Sequence, residues 1–381
     1  MSEVRDPADH IHLFLPGPVE TRPEILEAQS KWMIGHRMPE CAELIGSVHP
    51  KLKRVFATES RVIISASSGT GLWEAATRNC VRERVLHGIN GAFSSRWAEV
   101  SELNGKQVER IEVEWGKALK PEMFAEALAD GGFDAVAFAH NETSAGVLSP
   151  LKEIAAAVRA APGGEDIMIL VDAVSGLSGT PLEFDAWDLD VALCSSQKAF
   201  ALPPGLAFCA VSDRAMARAA TVPNRGYYFD FITLDKYLQK NQTPATPAIS
   251  LLYATDVQLD SMLEEGMDQR FARHLALRDR TVGWARSRGL ALFSEPGYES
   301  PTVTCIDNTR EIDINGLNAF LRARGMILSN GYGALKGKTF RIGHMGDCQL
   351  ADLEKLLSAM DDYLLETGQF EVPATTPGMG A

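Results

Sequence analysis

The sequence lacks most of the features that assign a chain quickly. No apolar run in its 381 residues approaches the roughly 18 that a membrane-spanning helix needs, so no membrane partner is expected. Basic charge is scarce: 37 Lys and Arg stand against 50 Asp and Glu, a formal charge of −13. Nucleic acids and anionic membranes are bound through basic surfaces that displace counterions, so neither is an expected partner. The six cysteines, Cys41, Cys80, Cys194, Cys209, Cys305 and Cys348, are far apart, with no C-x-x-C and no His pair at ligand spacing. A disulfide framework and a metal site are both unexpected. Cys209 in LAFCAV and Cys305 in TVTCID read as small buried hydrophobes. The opening MSEVRDPADHIHLF is acidic and broken by proline, unlike a signal or transit peptide, and TPGMGA is no receptor-read address. A bacterial-type cytoplasm is the expected location. Repeats, low-complexity stretches, a Walker lysine and a G-x-G-x-x-G after the first strand are absent too.

What remains is an ordinary globular composition, 45% hydrophobic and 23% charged, long enough for two or three domains. Short apolar runs at 61–65, 84–88, about 108–113, 134–140, 167–174, 191–196 and 205–211 read as strands. GLWEAATRNCV, WAEVSELNG, PEMFAEALADG and PLKEIAAAVRAA lie between them and carry the i, i+3, i+4 apolar spacing of helices. Alternation of helices with almost continuously apolar strands predicts an α/β fold with a mainly parallel, doubly covered sheet. Ligands of such a sheet lie beyond the carboxyl ends of its strands. After Tyr228 the pattern changes. A proline-rich QTPATPAIS leads into a helical stretch over about 248–288, then a strand PTVTCID, a helix near IDINGLNAFLRARG, a strand KTFRIG and a last helix. The division expected is an arm over 1–15, a large α/β domain over 16–259, a smaller α+β domain over 260–366 and a loosely ordered tail over 367–381.

Four signals fall where a sheet enzyme places its chemistry. Ser68-Gly69-Thr70-Gly71 joins a strand to a helix start, which offers unpaired N–H groups and hydroxyls to an anion. Asp172 ends a strand in IMILVDAVSG, where a carboxylate needs a cation or a raised pKa. Lys198, in CSSQKAFALPPG, has little around it to solvate an ammonium, and a desolvated lysine becomes a neutral nucleophile. Arg341, in KTFRIGHMGD, offers a planar fork for a carboxylate. Taken singly, each has an ordinary reading: an N-capped turn, a structural Asp, a solvated lysine, an edge-strand arginine. Taken together they match what pyridoxal 5′-phosphate (PLP) acting on an amino acid requires: a phosphate cradle, a partner for the pyridine nitrogen, an amine for the aldehyde and a carboxylate clamp.

The motifs LFLPGPVETRPEI, HNETSAGVLSPL, ILVDAVSGLSGTPL, CSSQKAFALPPG and GKTFRIGHMGD resemble those of the class V aminotransferases of the alanine–glyoxylate, serine–glyoxylate and serine–pyruvate type. The resemblance implies a PLP-dependent homodimer, with a seven-stranded large domain and a small C-terminal one. It makes Lys198 the Schiff-base lysine and Asp172 the partner of the ring nitrogen. Ser68, Gly69, Thr70 and Gln197 become phosphate contacts, Thr143 a hydrogen-bond donor to the cofactor, and Phe93 the ring stacked on it. Thr243 and Thr246 would reach the phosphate of the neighbouring subunit, while Arg341 and Gly17 serve the substrate carboxylate. The implied reaction is a ping-pong exchange between a small amino acid and a small 2-oxo acid.

Three other readings stay open at this point. His36-Arg37 could supply a second anion site, as for a phosphoserine or aminoethylphosphonate substrate. A cysteine desulfurase shares the fold but needs a cysteine on a flexible loop, and between Lys198 and Arg341 only Cys305 exists. A non-catalytic relative could act as a partner subunit, since proteins of this type include some described as hydrogenase-associated.

Overall fold

The computed structural model describes residues 10–369; most of the expected arm and tail, residues 1–9 and 370–381, lies outside them. Seven strands form one sheet in the order Arg61–Ser65, Ala207–Val211, Val191–Ser195, Met168–Asp172, Ala135–Ala139, Arg84–Ile89 and Gln107–Glu112. Every pairing is parallel except the two made by Ala207–Val211. The central strands read as unbroken apolar runs because both faces are covered. Successive side chains alternate between two cores: Ile169 and Val171 meet the helices Pro39–Val55, Leu151–Ala160 and Ile249–Glu265, whereas Met168 and Leu170 meet Gly69–Cys80 and Asp213–Thr221.

This topology sets the site. Arg61–Ser65, Met168–Asp172 and Val191–Ser195 run in the same direction, so Ser65, Asp172 and Ser195 end at one edge of the sheet. The segments that follow them carry Ser68, Val174 and Lys198.

A second sheet has four strands, His12–Phe14, Met326–Asn330, Thr339–Gly343 and Val303–Asp307 in that order. Phe14, Leu277, Trp284, Ile306, Phe340, Leu353 and Leu357 share its core with the helices Met267–Ser287 and Leu350–Glu366. Three expectations change here. His12–Phe14, placed in an arm, is a strand parallel to Met326–Leu328. Met326–Asn330 is itself a strand that the sequence reading missed. The stretch 248–288 is two helices, interrupted at Gly266 with φ +84°. The first packs on the large core and the second on the small one, so the change of partner comes at Gly266 and not at 260.

Candidate active site

Asp172 is buried at the end of its strand. Its Oδ1 accepts from the Val174 N–H at 2.7 Å and its Oδ2 from the Trp73 indole at 3.0 Å. Burial nevertheless raises its pKa to about 7, helped by the nearby Glu142 charge and opposed by those two bonds and by Lys198.

Lys198 lies beyond the neighbouring strand end. Its ammonium donates to the Pro16 carbonyl, and no carboxylate lies within ion-pair distance among the described residues. Desolvation first, then the Arg341 charge, push its pKa down to about 8, against the pull of Asp172 and Glu142. Gly17 is required beside it. The residue has φ +111°, and an added Cβ would stand 2.5 Å from Lys198 Cδ. The backbone N–H of Val19 donates to the Gln197 carbonyl at 3.1 Å, which ties this loop to the lysine's.

A cavity of about 270 Å³ opens here, lined by Ser68, Gly69, Thr70, Phe93, Thr143, Asp172, Gln197, Lys198 and Gly17 among others. Ser68 precedes the helix Gly69–Cys80 without capping it by its side chain, which removes the N-cap reading of that hydroxyl. Lys198 Nζ stands 5.7 Å from the Phe93 ring centroid. Thr143 donates to Ser175 Oγ at 2.7 Å. Arg341 is buried, and among the described residues its hydrogen bonds go to neutral acceptors: Ser329 Oγ at 2.9 Å, the Asn330 carbonyl at 3.2 Å and the Thr143 carbonyl at 3.3 Å. A buried guanidinium without a counter-ion is costly in a resting protein and suited to an incoming carboxylate.

Four predicted residues lie elsewhere on the chain. Thr243 and Thr246 border a separate pocket with Tyr227 and Tyr228. Arg37 donates to the carbonyls of Thr243 at 2.7 Å and Pro244 at 3.2 Å and stacks on Tyr237. Neither it nor His36 lines the Lys198 cavity.

Residues 25–345 match the family described as aminotransferase class-V. The chain belongs to this family. A serine–glyoxylate aminotransferase of Methylorubrum extorquens is 32% identical over 394 residues, covering 100% of this chain and 96% of that one. The small subunit of a soluble hydrogenase of Synechococcus is 34% identical, over 98% of this chain and 97% of that one. Among solved structures, the ureidoglycine–glyoxylate aminotransferase of Bacillus subtilis superposes with a TM-score of 0.89 at 29% identity, over 98% of this chain and 97% of that one. As a class V aminotransferase the chain uses PLP, and the cavity fits it. Ser195 Oγ and Gln197 Oε1 are buried without a hydrogen-bond partner, and a Cβ at Gly69 would stand 2.6 Å from Val174 Cγ2, closing the cradle.

The cavity also rests on residues that the sequence reading did not single out. Trp73 looks like one more core aromatic of its helix, yet its indole orients Asp172. Glu142 accepts from Ser94 N–H at 3.0 Å and Ser144 Oγ at 2.6 Å, anchoring the helix start that carries Phe93. Arg270, buried, donates to the Ala199 carbonyl at 2.8 Å and to Asp347 at 2.8 Å. Gln258 ties Asp347 to the Phe200 carbonyl. The small domain thereby braces the backbone that follows Lys198.

Proposed function

We propose that the chain transfers an amino group from a small amino acid, alanine or serine, to a small 2-oxo acid, glyoxylate or pyruvate, the two substrates using one site in turn. The observation that carries this reading is one cavity bounded by a lysine amine held near neutrality, with a buried arginine that lacks a carboxylate partner beside it. When bound, PLP supplies an aldehyde that takes up the amino group and a ring that withdraws electrons from Cα. The residues around it have separable tasks. Ser68, Thr70, Gln197 and the N–H groups of the helix start hold the phosphate. Asp172 accepts a hydrogen bond from the protonated ring nitrogen, and Trp73 fixes the rotamer in which it does so. Phe93 and Val174, both on the cavity wall, would pack against the ring. Arg341 takes the α-carboxylate, trading its neutral acceptors for a charged one, and so aims Cα at the lysine. Lys198 Nζ then accepts the Cα proton of the donor and returns a proton to Cα of the product. Acid–base work of this kind contributes about 10²–10⁴ in rate.

The working unit in this reading is a homodimer. The segment holding Thr243 and Thr246 shares a pocket with the exposed Tyr227 and Tyr228, 65% and 48% exposed. Such a surface suits burial against a second copy, which would bring the two threonines to the partner's phosphate. The rival readings have less support. Arg37 is engaged with backbone carbonyls, so it offers no second anion site inside the Lys198 cavity. All six cysteines are buried, and burial pushes the Cys305 thiol up to about 12, the reverse of a reactive thiol. A partner subunit without catalysis has no use for Lys198 and Asp172 in one cavity with Arg341 bonded to the Thr143 carbonyl at its edge.

The test is a panel of amino donors against glyoxylate and pyruvate, with the new amino acid and the new oxo acid both quantified. Alanine or serine turnover with stoichiometric products is expected. A protein that binds PLP but converts no donor overturns the proposal.

A further inference from the structure

We infer that Asp347 is a positioning residue for Lys198: through Arg270 and Gln258 it holds the turn Lys198–Ala201 in a backbone conformation that the turn does not favour by itself. This rests on the reading above in which Lys198 takes the cofactor.

Ala201 is buried with φ +53°, in the left-handed region. Asn and Asp enter that region with help from their own side chains, whereas alanine brings none. The turn closes on one internal bond, from the Ala201 N–H to the Lys198 carbonyl at 2.8 Å. Glycine would suit the backbone, yet the Ala201 methyl is in use. It packs with Val19, Ala199, Val303 and Met345, and a Cβ added at Gly346 would stand 2.9 Å from it.

What opposes the strain lies outside the turn. Arg270 Nη2 donates to the Ala199 carbonyl at 2.8 Å, and Gln258 Nε2 to the Phe200 carbonyl at 2.9 Å. Ser178 Oγ adds a bond to the Ala199 carbonyl at 2.8 Å. One carboxylate sets the first two donors. Asp347 Oδ1 accepts from Arg270 Nη1 at 2.8 Å, and its Oδ2 from Gln258 Nε2 at 3.0 Å. Arg22 Nε reaches the same Oδ2 at 2.7 Å, and Glu265 accepts from Arg270 at 2.9 Å. Arg270 and Gln258 are buried and the Asp347 side chain nearly so, which leaves little water to replace a lost partner.

An amide at position 347 keeps the shape but turns an NH2 group towards one of these donors. The two carbonyls then lose their alignment, the turn relaxes and the lysine amine loses its aim into the cavity. A displacement of about 1 Å can cost a reaction about 100-fold. Asp347 does not line the cavity, so its effect passes through the turn.

The experiment follows PLP capture by the cofactor-free protein in stopped-flow absorbance, then kcat and KM for alanine with glyoxylate. Asp347→Asn is made in the wild type and in an Ala201→Gly background. In the wild type it is expected to slow capture at least about tenfold and to lower kcat with KM little changed. In the Ala201→Gly background it should cost only about two- to threefold, because glycine keeps the left-handed turn without a brace. A role confined to stabilising the small domain is not relieved by a glycine beside Lys198. Gln258→Met leaves the Asp347–Arg270 pair in place and should slow capture in the same direction, which keeps the test open if Asp347→Asn does not fold. Equal losses in the two backgrounds, or wild-type capture in folded Asp347→Asn or Gln258→Met, overturn the inference. The expected capture pattern without turnover of any donor overturns the transaminase reading instead.

Discussion

Asp172 holds two hydrogen bonds and is still driven towards neutrality, because neither bond replaces the water it has lost. Its usual pKa is near 4 and its folded value is about 7. Between these values the folded chain keeps a proton that the unfolded chain has released. The group's contribution to stability is therefore complete below about pH 4 and is lost as pH rises towards 7, at about 1.4 kcal/mol per unit at most. In the cofactor-free protein, Asp172→Asn is expected to flatten the fall of the urea midpoint across that window; an unchanged slope would place the titration elsewhere. Lys198 has the opposite sign. With a pKa of about 8, its amine becomes neutral as pH rises through 8, and the rate of cofactor capture should rise along that titration in stopped-flow absorbance. Gly17→Ala tests the packing against this lysine. The methyl would collide with the Lys198 side chain in a backbone region that disfavours alanine, so capture should slow by at least about tenfold with the fold retained. The sequence drew attention to Asp172 and Lys198 because both stand at or just beyond the ends of apolar strands, where little is at hand to solvate a charge. Trp73 drew none, since a tryptophan on the apolar face of a helix looks the same whether it fills a core or orients a carboxylate.

At the level of elements, the inner strands of the large sheet were readable because they are covered on both faces and so stand out as apolar runs, whereas the edge strand Gln107–Glu112 is largely exposed. His12–Phe14 and Met326–Asn330 were not readable. The first is three residues long and pairs with a strand more than 300 residues away along the chain; the second is only half-buried, between that strand and Thr339–Gly343. The break at Gly266 was hidden for another reason: helical periodicity continues on both sides of it. With φ +84°, that position takes glycine without strain and alanine only at a cost of about 1 kcal/mol or more. Gly266→Ala should lower the unfolding free energy by that amount, read as a lower denaturant midpoint at unchanged slope. An unchanged or raised midpoint would mean that the two helices can merge into one.

Across the whole molecule, the charge of −13 sets solubility, and the cavity runs against it. In the proposed reading Lys198, Arg341 and a helix start meet ligands that are themselves anions, so attraction is local and should weaken little with salt. No helix among the described residues is long and apolar enough to cross a membrane. The homodimer is tested by sedimentation equilibrium, which should give twice the 41.4 kDa chain mass; a monomer that still turns over substrate would remove Thr243 and Thr246 from the site. The account as a whole stands on Lys198. Borohydride reduction of the PLP-loaded protein, followed by peptide mass mapping, should leave the cofactor fixed on the peptide that contains Lys198 and on no other. Label on a different lysine, or none on a protein that turns over amino donors, would contradict it.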